Sequence, residues 1–402
     1  MVPEGWTTQS VGDLCNFVNG NGFKSSEWSK EGLPIIRIQN LNGSSDFNYF
    51  SGIPKKSWVV NKGDILFAWA GTKGVSFGAK LWNGPKGVLN QHIFRVEAKS
   101  GLDLHWLYLA LLKVTQKVEE KAHGFKSTLV HVQKSDIMEQ VLPVPPLSEQ
   151  KKIAQILATW DKSISKTEQL LDNSRLQKKA LVQQLLTGKK RLLDENGVQF
   201  SGEWKPTTIS SFLRESRIAG SSGDVAKKLT VKLYGNGVVA KDEKRAGSGS
   251  TKYYRRKAGQ FIYSKLDFLN GAFGLVPNCL DGYESTLDLP AFDFLDGVSV
   301  EWFIYFVSRE EFYAANLGLA NGGRKARRVN PKDFLAIKIP TPPLEEQQKI
   351  AAVISLADQE ITILQRNLYA LRWEKKALFQ KLLTGKIRVN GVTQKTQEKS
   401  EV

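Results

Sequence analysis

Two stretches of the chain carry apolar residues at alternating spacings of four and three, the pattern of a helix that buries one narrow face. The stretches are residues 145–191 and 342–388. The apolar positions are Ile153, Leu157, Trp160, Ile164, Leu171, Leu181 and Leu185 in the first, and Ile350, Ile354, Ile361, Leu364, Leu368, Leu371, Leu378 and Leu382 in the second. The pattern predicts two long helices, each with a coiled-coil seam.

The two stretches are copies of one element. They align without a gap at an offset of 197 residues, and 23 of 47 positions are identical. Glu149 and Glu346 fall in the first helical turn, where a negative charge complements the helix dipole. Gly188 and Gly385 follow the last apolar positions, where a left-handed cap is favoured. A repeat of this length predicts a duplicated structural unit.

We expect the two helices to pack against each other in antiparallel directions. Each would be a rod of about 60 Å. A parallel pair would require the link between Gly188 and Trp204 to span the whole rod, and a chain of roughly 16 residues reaches at most about 55 Å. The alternative is that each helix packs only against its own domain.

Lys178 and Lys375 occupy equivalent places on the predicted seam. A lysine at such a position lowers the stability of a coiled coil but can fix its register. The sequence leaves two interpretations open. The lysine stem extends along the edge of the helix pair, or the ammonium group contacts DNA or a partner protein.

The duplication extends beyond the helices and predicts an α+β fold. Short β-rich runs such as residues 33–38 and 87–96 are separated by Gly, Asn and Ser turns, and one helix per half is expected near residues 104–120 and 300–316. We predict two globular domains and a pair of long helices that form an antiparallel coiled coil, in a tandem repeat with pseudo-two-fold symmetry. The expected segments are a first globular domain at 1–146, a long helix at 147–190, a linker at 191–204, a second globular domain at 205–343, a second long helix at 344–387 and a polar tail at 388–402.

Composition narrows the class of partner. The chain has 402 residues and a formal net charge of +17, which predicts a polyanionic partner, with nucleic acid first.

No apolar run reaches the roughly 18 residues of a membrane span, and the N-terminal residues lack a secretory signal pattern. Two cysteines, Cys15 and Cys279, favour a reducing cytoplasm over a disulfide framework, and no metal-ligand spacing occurs.

Both globular domains contain candidate DNA contacts. In the second domain these are Lys252, Tyr253, Tyr254, Arg255, Arg256, Asn321, Arg324, Lys325, Arg327 and Arg328. In the first domain they are Lys24, Arg37, Gln39, Asn40, Lys73, Asn90, Gln91 and His92. Basic side chains bind phosphates and guanine, and Asn or Gln pairs with adenine. The alternatives are a solvated charged surface for the basic runs and a role in turns for asparagine.

The sequence contains no recognisable catalytic motif. The phosphate loop and the dinucleotide-binding glycine motif are absent. The sequence Thr341-Pro342-Pro343-Leu344 lacks both the amide and the aromatic residue of the amino-methyltransferase motif. We therefore expect a protein that binds and does not catalyse.

Two copies of P-P-L-x-E-Q-x-K-I-A leading to L-L-T-G-K, each following a domain that opens near Trp6 or Trp204, resemble the DNA specificity subunits (HsdS family) of type I restriction–modification systems. The resemblance covers nearly the whole chain. It implies that the globular domains are target recognition domains, each reading one half of a bipartite, asymmetric sequence in double-stranded DNA. It also implies that the helix pair sets the gap between the halves and docks two methyltransferase subunits, and through them restriction/translocase subunits.

The resemblance places the cofactors on the partners. The methyltransferase subunits would use S-adenosylmethionine and the restriction subunit ATP and Mg, with no cofactor, metal or membrane contact on this chain. A specificity subunit of a related type IIB or IIG-like system would share the architecture. A fused restriction–methylation enzyme would need a methyltransferase motif, and a scaffold independent of DNA would leave the basic, tyrosine-rich loops without a use.

Overall fold

The computed structural model describes residues 2–121, 129–242, 247–319 and 327–389. The chain forms two compact units. Unit 1 contains Met1–Glu168 and Asn367–Val402, and unit 2 contains Gln169–Arg366. Each unit therefore holds one globular domain together with one part of each long helix.

Unit 1 is built from β1 Thr7–Ser10, α1 Val11–Leu14, β2 Cys15–Asn19, β3 Trp28–Ser29, β4 Leu33–Ile36, α2 Ile38–Leu41, β5 Asn48–Phe50, β6 Val59–Val60, β7 Ile65–Ala68, β8 Ala70–Thr72, β9 Gly78–Leu81, β10 Gly87–Leu89, β11 Ile93–Ala98, α3 Leu104–Lys121, β12 Leu129–His131, α4 Lys134–Met138, β13 Val141–Val144 and the first part of α5 Leu147–Leu185. Its central antiparallel sheet has the strand order β2-β11-β7-β9, and a second sheet has the order β3-β5-β4-β10-β6. The apolar face of α3 packs into the core beside the central sheet, with Trp106, Leu107 and Leu111 buried. Strand β1 pairs with β13, so the first strand lies beside the strand that leads into α5.

Unit 2 is built from β14 Lys205–Thr208, β15 Leu213–Ser216, β16 Ile218–Ser222, β17 Leu229–Val231, β18 Val238–Ala240, β19 Lys252–Arg255, β20 Phe261–Tyr263, β21 Phe273–Leu275, β22 Glu284–Ser285, β23 Ala291–Phe294, α6 Val300–Val307, α7 Glu310–Ala315, α8 Pro331–Leu335, β24 Lys338–Thr341 and the first part of α9 Leu344–Leu383. Its central sheet, β15-β23-β20-β21, repeats the strand order of unit 1, and β14 pairs with β24 as β1 does with β13. Aromatic rings dominate the core. Phe261, fully buried, lies edge-on to Phe303 at 5.3 Å and stacked with Phe334 at 5.5 Å between ring centroids.

The helix expected at residues 300–316 is divided in the structure, so the prediction of one continuous helix was wrong there. Helix α6 ends at Val307 and α7 begins at Glu310. Between them Arg309 has an extended backbone (φ −72°, ψ 139°), and its guanidinium lies 4.0 Å from the ring centroid of Phe306. Arg309 Nε also donates to Phe306 O at 3.1 Å. Arg309 therefore packs against the end of α6, and α7 begins as a separate helix.

The long helices begin at the predicted residues but end a few residues earlier than predicted. Helix α5 ends at Leu185 and α9 at Leu383, whereas the predicted boundaries were 190 and 387. Gly188 and Gly385 have left-handed φ values of 71° and 72°, the conformation that terminates a helix. The last residues of each repeat therefore lie outside the helix.

The predicted antiparallel coiled coil is confirmed within each unit. All of the predicted seam residues are buried or half-buried. In unit 1, Glu168 binds Arg372 at 2.6 Å and Asp161 binds Lys375. In unit 2, Ser174 Oγ donates to Glu360 at 3.1 Å, and Lys178 Nζ lies 2.6 Å from Asp358. Partner numbers rise along one helix as they fall along the other, so the two helices run in opposite directions.

Gly385→Ala is expected to destabilise the protein more than Gly188→Ala. Both substitutions force alanine into a left-handed conformation, at a cost of about 1 kcal/mol. A β-carbon at Gly385 would also lie 2.3 Å from Pro3 Cγ, whereas at Gly188 the nearest atom is Trp204 Cε2 at 3.5 Å. Urea unfolding of the two full-length variants measures the difference, and equal losses would contradict the steric contribution of Pro3.

Within the described residues, no helix is both long enough and apolar enough to cross a lipid bilayer. The same part of the chain contains no group of three or more His, Cys, Asp or Glu side chains arranged to hold a metal ion.

Candidate nucleic-acid interface

Glu149 joins the first globular domain to the helix pair. Its buried carboxylate accepts a hydrogen bond from Trp6 Nε1 at 2.9 Å and an ion pair from Arg388 Nε at 2.9 Å. Val389 N also donates to it, at 3.2 Å. Burial by itself would raise the pKa of Glu149, but the hydrogen bonds from Arg388, Trp6 and Val389 outweigh burial and lower that pKa. An ionised carboxylate thus connects the N-terminal region, the start of α5 and the residues after α9.

Glu346 forms the same anchor in unit 2. Its fully buried carboxylate accepts hydrogen bonds from Arg191 Nε at 2.6 Å and from Arg191 Nη2 at 2.7 Å, so the ion pair is bidentate. Trp204 Nε1 donates to it at 3.1 Å. The pair raises the pKa of Arg191, chiefly through its hydrogen bonds to Glu346. We call each set of tryptophan, glutamate and arginine an anchor.

The glutamine after each anchor glutamate ties the globular domain to the helix. Gln150 Oε1 accepts from Asp103 N at 2.9 Å, directly before α3, and Gln347 Oε1 accepts from Ser299 N at 2.9 Å, directly before α6. The amide groups of both glutamines donate to the carbonyl of a preceding proline, at 2.9 and 3.0 Å. The repeated E-Q dipeptide therefore has a structural use in each copy.

The seam lysines are engaged in ion pairs. Lys178 binds Asp358, and Lys375 binds Asp161, which are equivalent pairs at the offset of 197. Asp358 also accepts from Tyr305 OH at 3.0 Å, and burial followed by this bond raises the pKa of Tyr305 to about 12. Of the two interpretations left open by the sequence, these ion pairs between the helices favour a lysine that extends along the edge of the helix pair over contact with DNA or a partner protein.

The candidate DNA contacts of the first globular domain have unequal surroundings. Lys24, Gln39, Gln91 and His92 are exposed, and Arg37, Lys73 and Asn90 are half-buried. Gln91 Nε2 and His92 Nε2 are brought together at 3.3 Å, in the turn between β10 and β11. The guanidinium of Arg37 lies 5.4 Å from the ring centroid of Trp28. These residues stay predicted DNA contacts.

Asn40 is a correction to this set. It is 5% exposed, its Oδ1 accepts from Arg37 N at 2.9 Å, and its Nδ2 donates to Ser44 O and Asp46 O at 3.0 and 2.9 Å. Every polar atom of the side chain is committed to the backbone around α2. Asn40 therefore has the turn role that the sequence offered as the alternative.

The basic, tyrosine-rich run of the second globular domain forms β19, the middle strand of the sheet β16-β19-β22. Lys252 and Arg255 are exposed, while Tyr253 and Tyr254 are half-buried. Lys228 Nζ lies 5.3 Å from the ring centroid of Tyr253. The strand therefore presents basic side chains beside partly covered aromatic rings.

Arg256, which ends this run, is also a correction. It is 1% exposed and donates to Ser285 Oγ at 2.8 Å, Ser216 O at 2.9 Å and Leu289 O at 3.1 Å. Burial lowers its pKa to about 10, opposed by Glu215. The guanidinium joins Ser216, at the end of β15, to residues 285–289 and is not available to DNA.

The second basic run is described only in part. Arg327 is exposed, and Arg328 Nε lies 3.5 Å from Asp288 Oδ1. Asn321, Arg324 and Lys325 lie outside the described residues.

Sequence reasoning missed the anchors as a set. The helix-dipole argument applies to Glu149 and Glu346 alone, and it assigns no role to Arg191 or Arg388. The sequence does contain a signal for the two arginines, because each ends its copy of the repeat and they are separated by the same offset as the glutamates. Only the folded chain shows that a residue after one helix binds the start of the other.

Comparison with known proteins agrees with this architecture. A family model described as the type I restriction modification DNA specificity domain matches residues 3–173 and 301–371, more than half of the chain. The type I restriction enzyme MjaVIII specificity subunit of Methanocaldococcus jannaschii is 25% identical over 97% of this chain and 95% of the relative. The EcoBI specificity subunit of Escherichia coli is 27% identical over 54% of this chain and 48% of the relative.

A solved structure shares the fold. The HsdS subunit from Thermoanaerobacter tengcongensis aligns with a TM-score of 0.54 at 15% identity, over 96% of this chain and 98% of that one. The alignment shows that the two chains share an overall fold. Because the family model matches more than half of the chain, the chain belongs to the type I restriction–modification DNA specificity family.

Proposed function

We propose that this chain directs a type I restriction–modification complex to a bipartite, asymmetric sequence in double-stranded DNA. Each globular domain reads one half of the target. The paired helices dock two methyltransferase subunits, and through them the restriction/translocase subunits. The chain itself performs no catalysis, and S-adenosylmethionine, ATP and Mg are used by the partners.

One observation carries the proposal, the repetition of an identical anchor beneath two different globular domains. Trp6 and Trp204 donate to equivalent glutamates, and both glutamates bind an arginine that ends a repeat. The domains above these anchors share the strand order of the central sheet but differ in their other sheets and their polar side chains. This combination suits one mechanical task performed on two different ligands.

Charge supports DNA as the ligand. With a net charge of +17, the chain attracts a polyanion, and the exposed Lys252, Arg255 and Arg327 concentrate basic groups on the second globular domain. The first domain contributes Lys24, together with the amide and imidazole groups of Gln91 and His92. Phosphate contacts would hold the domains on the duplex, and side chains that reach base edges would supply specificity.

Exposed apolar residues on the helices support protein docking. Leu176 is 66% exposed and its equivalent Trp373 is 64% exposed, on faces away from the seam. Leu147 and Leu344, which begin the two helices, are each 40% exposed. Large apolar side chains repeated at the same offset provide two similar surfaces, as two copies of one partner would require.

The test is adenine methylation sequencing of a host genome. Hosts would express a type I methyltransferase subunit with this chain, with an Arg388→Ala and Arg191→Ala double variant that breaks both anchors, or without the chain. The expected result is a two-part methylated motif that appears only with the intact chain. A motif that persists without this chain, or no motif although the chain and the methyltransferase co-purify, would contradict the proposed function.

A further inference from the structure

Three backbone segments of the first globular domain meet at one end of its central sheet. Trp69, the residue after β7, donates its backbone N–H to His92 O at 3.3 Å and accepts from Val132 N at 3.1 Å. His92 precedes β11, and His131 ends β12 next to Val132. Three side chains, those of Trp69, His92 and His131, are thereby held at one place.

The second globular domain forms the same arrangement. Lys265, which follows β20, donates its backbone N–H to Asp288 O at 2.9 Å and accepts from Val329 N at 3.2 Å. Arg328 precedes Val329 as His131 precedes Val132. The two backbone hydrogen bonds match one for one between domains whose central sheets have the same strand order.

The side chains at these places interact in both domains but differ in chemistry. In the first domain the ring of Trp69 lies 5.3 Å from His92 and 4.8 Å, edge-on, from His131. A surface cavity of about 350 Å³ is lined by Trp69, Gln91, His131 and Lys134.

In the second domain the same places hold charges. Arg328 lies 3.5 Å from Asp288, and the two side chains are 43% and 54% exposed. Burial lowers the pKa of half-buried Lys265, opposed by Asp288 and Glu215. All three charged groups therefore act on one another at an accessible surface.

This divergence contrasts with the anchors. The anchors keep tryptophan, glutamate and arginine in both halves, whereas the sheet-end positions keep the backbone geometry and replace every side chain. A role in folding alone does not account for this difference, because the backbone hydrogen bonds are the same in both domains. The side chains nevertheless change from an indole and two imidazoles to two cations and a carboxylate.

We propose that the two domains contain equivalent sets of specificity-determining residues, which contact base edges of the duplex. The sets are Trp69, His92 and His131 in the first domain and Lys265, Asp288 and Arg328 in the second. The proposal rests on the proposed function and adds the residues that distinguish the two half-sites. In the second domain the arrangement fits a G·C pair, because arginine donates to guanine O6 and N7 and a carboxylate accepts from cytosine N4. In the first domain the imidazole rings of His92 and His131 offer ring nitrogens that can hydrogen-bond to a base edge.

The test compares methylated motifs from the full chain with its methyltransferase partner, for wild type, Arg328→Ala and His131→Ala. The wild-type motif first establishes the proposed function, so its absence would refute that function and not the residue assignment. Arg328→Ala is expected to relax one guanine position of one half-site, with discrimination reduced about 5- to 150-fold. His131→Ala is expected to relax a position in the other half-site only.

Arg327→Ala is the matched control. Arg327 is adjacent and exposed, so its loss should lower methylation evenly across sequences without changing base preference. Co-purification of each variant with the methyltransferase confirms that the chain is folded, and Arg328→Lys provides a second variant that keeps the charge but loses the planar fork. Unchanged base preferences in Arg328→Ala and His131→Ala, or relaxation of the same half-site by both, would overturn the assignment.

Discussion

Replacing Glu346 with alanine is expected to lower the free energy of unfolding of unit 2 by about 3–5 kcal/mol. The carboxylate is fully buried and accepts three hydrogen bonds, two from Arg191 and one from Trp204. Its removal leaves Arg191, whose side chain is 18% exposed, without its counter-charge, and leaves the indole N–H of Trp204 without its acceptor. Urea unfolding followed by tryptophan fluorescence and circular dichroism measures the loss.

Glu345→Ala is the control for this prediction. Glu345 lies in the same first turn of α9 and shares the interaction with the helix dipole, but its side chain is 52% exposed and its pair with Lys349 spans 3.6 Å. Its replacement is expected to cost about 0.3–1 kcal/mol. Equal losses for the two variants would show that the buried anchor adds no net stability beyond its position at the helix start.

Exchange of the second globular domain is expected to replace one half of the methylated motif and leave the other half unchanged. Residues 205–343 would be substituted by the corresponding segment of another type I specificity subunit. The segment begins with β14 and contains β24, which pair over four residues, so the graft carries its own closing strands. Trp204, Arg191 and Glu346 lie outside it and keep the recipient's anchor intact.

The graft must also complete the core that the domain shares with the helices. Leu185, Ile350 and Ile354 are fully buried in that core, and Gln347 binds the backbone of Ser299 inside the exchanged segment. A donor with apolar residues against these positions is therefore required. Adenine methylation sequencing gives the outcome, and exchange of residues 1–146 in the same way should replace only the other half. Changes in both halves after either exchange would contradict independent recognition by the two domains.

The fold and the candidate site differ in how far they can be predicted from the sequence. The fold class, the length and register of the helices and the division into two globular domains follow from spacing, because apolar side chains recur along a helix with a period that the sequence displays directly. The repeat at an offset of 197 gave each prediction an internal check, since Ile153 and Ile350, or Leu185 and Leu382, occupy equivalent places in both copies. Even the antiparallel direction followed from the length of the link between Gly188 and Trp204.

Residues of the same type differ in burial and in hydrogen bonding, and the sequence does not distinguish them. Arg255 and Arg256 are neighbours in one basic run, yet Arg255 is exposed and Arg256 is buried, with its guanidinium bonded to Ser216 and to residues 285–289. The sequence predicts Asn40 as a base-reading amide, whereas in the structure its side chain completes a turn. A strand sends successive side chains to opposite faces, and which face is covered depends on segments distant in sequence.

The sequence by itself therefore determined the repeat, the seam residues, the α+β class and the family resemblance, because all of these are periodic or local. Only the tertiary structure decided that Arg191 and Arg388 close the anchors, and that Trp69, His92 and His131 meet as Lys265, Asp288 and Arg328 do. These contacts join segments as far apart as Glu149 and Arg388, and no local pattern encodes a pairing over 239 residues. Such pairings arise when strand order and helix direction bring distant backbone segments together, which is a property of the folded chain.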